Sequence, residues 1–192
     1  MAPELRDVPE SWPVDGTRDL YRTDWVMALR LDDVRGPGDE ATFPRLVLEH
    51  PGAVIVLAVD DHDRAYCLWQ YRHPAGRRFV ELPAGLLDAD GEEPVATARR
   101  ELREEAGLEA SDWTHLATTW SSPGISSEVM HLYLARGLRE VADDFERTHE
   151  EADMQGGWVP VAELRAAVLS GDVADGPLVQ TLLLAEAKGL LA

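Results

Sequence analysis

Residues 81–108, ELPAGLLDADGEEPVATARRELREEAGL, constrain this chain more than any other stretch: a glycine-bearing loop runs straight into a segment whose acids recur at helical spacing. Pro94 suits the first turn of a helix and Gly107 its end, so a single helix of about three turns is predicted between them. On it Glu101 and Glu105 are i and i+4, and Glu104 lies three positions after Glu101, which puts three carboxylates on one side about a turn apart. Like charges so placed repel and weaken an isolated helix, and a bound divalent cation would give the cluster a reason. The same charge run also fits a solvated helix face carrying ion pairs.

The rest of the composition sets limits on partners. A chain of 192 residues, 45% hydrophobic and 28% charged, is long enough for one substantial core and reads as an ordinary soluble globular protein. Its formal charge of -18, from 36 acidic and 18 basic residues, repels nucleic-acid backbone and anionic membranes. A polyanionic small substrate therefore needs metal ions or a local basic patch. Arg72 and the pair Arg77-Arg78 form such an island just before the acidic helix, and guanidinium forks suit pyrophosphate oxygens. Cys67 is the single cysteine, set in an apolar alternation that favours burial over reactivity, and it fits a reducing compartment. The start of the chain is acidic and proline-bearing instead of a basic apolar leader, and its longest apolar run, Ala53 to Val59, is too short to span a bilayer. Cytoplasm is the expected location.

Hydrophobic periodicity places the elements. Residues 1 to about 18 read as irregular, Tyr21 to Asp32 and Pro44 to His50 as strands, and Asp33 to Thr42 as the loop joining them. Ala53 to Val59 is a continuous β-branched run suited to a central strand, with Arg64 to Arg72 returning beside it. Phe79 to Pro83, Trp113 to Ser121, Met130 to Arg136 and Gly157 to Val159 read as further strands. Val161 to Ser170 and Pro177 to Lys188 read as helices. The expected fold is α/β, a mixed sheet flanked by helices, with a small antiparallel sheet in residues 1–50 and the main domain in 51–192.

Glu92, seven further residues, and then Arg100-Glu101-Leu102-Arg103-Glu104-Glu105-Ala106-Gly107-Leu108 resemble the signature of the Nudix hydrolases, in which R-E-U-x-E-E-x-G-U follows a glutamate at that distance and U is aliphatic. That pattern has five residues between its first glycine and the glutamate; here Leu86 to Gly91 make six. An extra loop residue costs little and leaves the helix register intact. Gln70-Tyr71-Arg72, Glu81-Leu82-Pro83-Ala84-Gly85, Ser122-Pro123-Gly124 with Glu128, and Glu150-Glu151-Ala152-Asp153-Met154 are similar to the ADP-ribose pyrophosphatase branch.

The resemblance implies an α/β/α sandwich and hydrolysis of a nucleoside diphosphate derivative, ADP-ribose to AMP and ribose 5-phosphate first among them. A nucleotide-sugar or dinucleotide pyrophosphatase is the nearest alternative, and a metabolite sensor without turnover is the alternative of another class. It implies Mg²⁺ or Mn²⁺ held by Glu101, Glu105, Glu104 and the carbonyl of Ala84, with Arg100 orienting the carboxylates. A downstream glutamate, Glu150 or its neighbour Glu151, would act as base. Arg72, Glu81, Ser122, Gly124 and Glu128 would contact substrate, and Trp25, or Tyr21, would stack on the purine. The family also implies a homodimer built through the first sheet, so that Trp25 would act across the interface.

Overall fold

Strand β4 (Ala53–Ala58) is buried along its whole length, and the reason is its sequence: AVIVLA has no polar face to offer solvent, so both faces must be covered. The computed structural model, which describes residues 5–89, 91–141 and 153–191, covers them differently on each side. The chain divides into two compact units, one comprising Met1–His50 with Ser122–Ser127, the other Pro51–Ser121 with Glu128–Ala192.

The first unit is an antiparallel sheet of β1 (Val14–Arg22), β2 (Ala28–Arg35) and β3 (Thr42–Glu49), with β2 in the middle. Two expectations fail here. Val14 to Arg22 is a strand where an irregular start is predicted, and the predicted strand Tyr21 to Asp32 is interrupted at residues 23–27, where the Thr23 hydroxyl accepts the Trp25 N–H at 3.2 Å. The physical reason is that β1 is exposed throughout most of its length and is held by polar cross-strand pairs instead of apolar alternation. The Thr17 hydroxyl donates to Asp32 at 2.9 Å, Arg22 pairs with Glu49 of β3, and Arg35 pairs with Asp15. Ser122–Ser127 docks on β3: the Leu48 N–H donates to the Ile125 carbonyl at 2.8 Å, and the Ser127 N–H donates back to the Leu48 carbonyl at 3.1 Å.

The second unit contains β5 (Arg64–Arg72), β6 (Arg77–Glu81), β7 (Ala84–Leu86), α1 (Pro94–Ala106), β8 (Leu108–Trp120), β9 (Val129–Glu140), β10 (Gln155–Pro160), α2 (Val161–Ser170) and α3 (Gly176–Ala187). A mixed four-stranded sheet runs β7-β4-β9-β8, with β4 and β9 parallel, and a second antiparallel sheet runs β10-β5-β6. Val54, Val56 and Ala58 point from β4 toward Ala98 and Leu102 of α1. Ile55, Leu57 and Val59 point the other way, into a core shared with Cys67, Leu82, Leu164, Leu178 and Leu182. The sheet is thus covered by α1 on one face and by α2, α3 and the smaller sheet on the other, the α/β/α arrangement expected. Each fully buried leucine contributes about 1.5–3 kcal/mol against leaving it exposed.

Several strands exceed their predicted ends. β8 begins directly after Gly107 instead of at Trp113, because its first residues pair with the far end of β9 (Leu108 with Glu140). Ala84–Leu86, predicted as loop, is a short strand pairing with Ala53 to Ile55, and this register fixes the backbone of Gly85 beside the helix.

Candidate active site

Helix α1 owes its limits to Pro94 in its first turn and to Gly107, whose φ of 64° forms a left-handed cap with its N–H donating to the Arg103 and Leu102 carbonyls. Thr97, Ala98 and Leu102 are its buried residues, with Ala98 and Leu102 against the sheet, so Glu101, Glu104 and Glu105 are carried toward the β7 end of the unit.

Three contacts draw that helix onto the loop before it. Glu105 Oε2 accepts the backbone N–H of Ala84 at 2.8 Å. The carboxylate of Glu101 occupies the space a Cβ on Gly85 would fill, so only glycine lets the strand pass there. Arg100 lies across the acids: its Nη1 is 2.7 Å from Glu101 and 3.2 Å from Glu104, and its Nη2 is 3.7 Å from both Glu92 and Asp88. Glu92 is further fixed by the Thr97 hydroxyl, which donates to it at 2.8 Å. Burial pushes the Glu101 carboxyl up to about 7, against the pull of Arg100 and with added repulsion from Glu104 and Asp88. Burial opposes the charge on Arg100, but Glu101, Glu104, Glu92 and Asp88 together raise its pKa above the usual arginine value.

A second charged group adjoins the same strand. Arg72 grips Glu81 with two prongs, Nε to Oε1 at 2.9 Å and Nη2 to Oε2 at 2.6 Å, and the Glu81 side chain is only 8% exposed. Glu105 and Asp175 also act on Arg72 through their charge. Asp175 caps α3 by accepting the Leu178 N–H at 2.8 Å. Burial drives its carboxyl up to about 6, the Leu178 N–H opposes that rise and Glu81 adds to it. Asp175, Asp88 and Thr97 are not among the residues singled out from the sequence. Asp175 could have been found as an acid directly before Gly176-Pro177, a helix-start signature.

Arg72, Glu81, Ala84, Arg100, Glu101, Glu104 and Glu105 therefore lie in one charged network in the second unit. Glu128 lies in that unit too, at the start of β9, where it accepts from the Ser121 hydroxyl. Arg78 pairs with Asp153 and donates to the Trp69 carbonyl at 3.0 Å. Trp25, 61% exposed, belongs to the first unit with Ser122 and Gly124. Glu150 and Glu151 lie outside the described residues.

Among the described residues no three acidic, histidine or cysteine side chains converge as a preformed metal cage. The donors beside Gly85 are nonetheless all oxygens, the set that hard divalent ions take, and the mostly buried Glu101 carboxylate is one of them.

Known proteins resemble this chain in sequence and in fold. The family model described as the NUDIX domain matches residues 49–182. An ADP-ribose pyrophosphatase of Mycobacterium tuberculosis is 50% identical over 157 residues, covering 82% of this chain and 75% of that protein. An ADP-ribose pyrophosphatase of Bacillus subtilis is 40% identical over 126 residues, covering 66% and 67%. A solved structure described as an ADP compounds hydrolase superposes with a TM-score of 0.77, covering 97% of this chain and all of the other, at 18% identity; that likeness speaks for the fold.

Proposed function

We propose, from the premise that this chain belongs to the Nudix family, that it is a pyrophosphatase hydrolysing ADP-ribose to AMP and ribose 5-phosphate. The observation that carries the reading is the carboxylate of Glu101 seated against Gly85, with Glu105 bound to the N–H of Ala84. It supports the reading because Glu101 and Glu105 lie beside a backbone that offers a carbonyl oxygen as a further donor.

In this reading Glu101, Glu105, Glu104 and the Ala84 carbonyl hold Mg²⁺ or Mn²⁺. When bound, the ion neutralises charge on the phosphoryl oxygens and favours deprotonation of an attacking water. Arg100, whose Nη1 contacts both Glu101 and Glu104, draws the two carboxylates together and orients them for the ion they would hold. Arg72, whose side chain remains 45% exposed while Glu81 fixes its orientation, presents a guanidinium edge to a phosphate oxygen. Glu150, with Glu151 as its rival, takes the proton of the attacking water. Glu128, Ser122 and Gly124 hold the ribose end, and Trp25 stacks on adenine. Residues 1–50 serve a homodimer and lend substrate contacts, residues 51–192 carry the chemistry, and the enzyme works in the cytoplasm. Among the described residues no helix is long and apolar enough to cross a membrane.

The test is turnover of ADP-ribose, GDP-mannose and a dinucleoside diphosphate with Mg²⁺ or Mn²⁺ and with chelator. Metal-dependent release of AMP from ADP-ribose, abolished in Glu105→Gln, is expected. Preference for GDP-mannose would move the substrate to the nucleotide sugars, and no cleavage of any compound would overturn the proposal.

A further inference from the structure

Strand β8 has a bulge between His115 and Ala117, and it alters which side chains meet across β8 and β9. His115 faces Tyr133 and Thr118 faces His131. The Thr118 hydroxyl consequently sits between two imidazoles, 3.0 Å from His115 Nε2 and 3.2 Å from His131 Nδ1, with the ring centroids 6.3 Å apart. Tyr133, tilted 5.3 Å from His115, and Trp113, edge-on to Tyr133 at 6.2 Å, wall the cluster on one side. His115 and Thr118 are exposed, and His131 is half-buried.

We propose that His115 and His131 form a two-imidazole site for a late first-row divalent ion, Zn²⁺, Ni²⁺ or Cu²⁺, separate from the oxygen-lined cluster on α1. Imidazole nitrogen suits these ions, whereas carboxylate and carbonyl oxygens suit Mg²⁺ and Mn²⁺. Metal–nitrogen distances are about 2.0–2.1 Å, so two ring nitrogens must aim at one point and stand close to it. Here both already aim at Thr118 Oγ1. Rotating that exposed side chain aside frees the point, and a closure of each ring by about 1 Å completes the distance. Paired strands hold the two backbones in register, which lowers the ordering cost of chelation. The hydroxyl carries one proton, so in the neutral cluster it donates to one ring nitrogen and accepts from the other. Binding asks only that the donating ring carry its hydrogen on its outer nitrogen instead, so the pair keeps its total of protons. Water takes the remaining ligand positions on the exposed side.

The test uses the full chain with Mg²⁺ in large excess, to compete for the oxygen donors, and titrates Zn²⁺ by calorimetry and Cu²⁺ by electron paramagnetic resonance, each compared with the His115→Gln, His131→Gln double variant under the same conditions. One tight equivalent is expected, with superhyperfine lines from two nitrogens. His115→Gln and His131→Gln should each weaken it about tenfold or more, because losing a direct ligand costs at least what losing an outer partner does. Thr118→Val, which removes the hydroxyl and keeps both rings, should retain it. Mg²⁺-dependent turnover and the circular dichroism of all three variants should match the parent. Undiminished binding in the His115→Gln, His131→Gln double variant would overturn the proposal, as would a copper spectrum without nitrogen couplings.

Discussion

Glu101 is subject to two demands that pull its proton in opposite directions. Burial favours the neutral acid, with its carboxyl pushed up to about 7 from an ordinary 4.5, while the cation binding proposed for it requires the carboxylate. The folded, metal-free protein therefore holds a proton that the unfolded chain releases near 4.5. The stability this contributes is complete below about 4.5 and is lost as pH rises through about 7, a change of ~3 kcal/mol. Urea unfolding in chelator between pH 5 and 8 should show the decline, and Glu101→Gln should flatten most of it; Asp175, raised to about 6, has the same sign and leaves a remainder. Apparent Mg²⁺ affinity should run the other way, climbing with pH to a plateau above about 7, measurable by calorimetry. Gly85 makes a companion case. A methyl there must displace the Glu101 carboxylate, so Gly85→Ala should cost about a hundredfold in kcat while the circular dichroism stays that of the parent.

Among the elements, α3 depends on a single acid at its start. Asp175→Ala removes the acceptor of the Leu178 N–H and should lower unfolding free energy by ~1 kcal/mol, read from denaturant midpoints. Leu102→Ala, a cavity between α1 and the central sheet, should cost ~2–5 kcal/mol by the same measurement. How far such elements can be read from sequence depends on what holds them. Helix α1 was legible because proline, glycine and the acids all keep a helical register, and β4 because an unbroken apolar run leaves it nowhere but the interior. β1 was hidden because its own side chains are mostly exposed and its side-chain ties to β2, Thr17 to Asp32 and Asp15 to Arg35, are polar and follow no hydrophobic period. The carboxylate cluster on α1 was legible for the same reason as the helix itself. Asp175 was not, since its nearness to Arg72 and Glu81 is made by α3 folding back from nearly a hundred positions away.

For the molecule as a whole, the formal charge of -18 means that the folded state works against its own repulsion. Raising NaCl from ~10 mM to ~150 mM shortens the screening length from ~30 Å to ~8 Å and should raise Tm; a Tm that falls would show that the surface ion pairs outweigh the repulsion. The central strand has a consequence of another kind. β4 ends at Ala58, but the parallel neighbour that covers its edge does not begin until Val129. Ribosomes add ~5–20 residues per second, so a wholly apolar ribbon must wait several seconds outside the exit tunnel with one flank bare. Nascent chains of this protein ought to lean on chaperones during that interval, and dilution from urea should give slower, more aggregation-prone recovery as concentration rises.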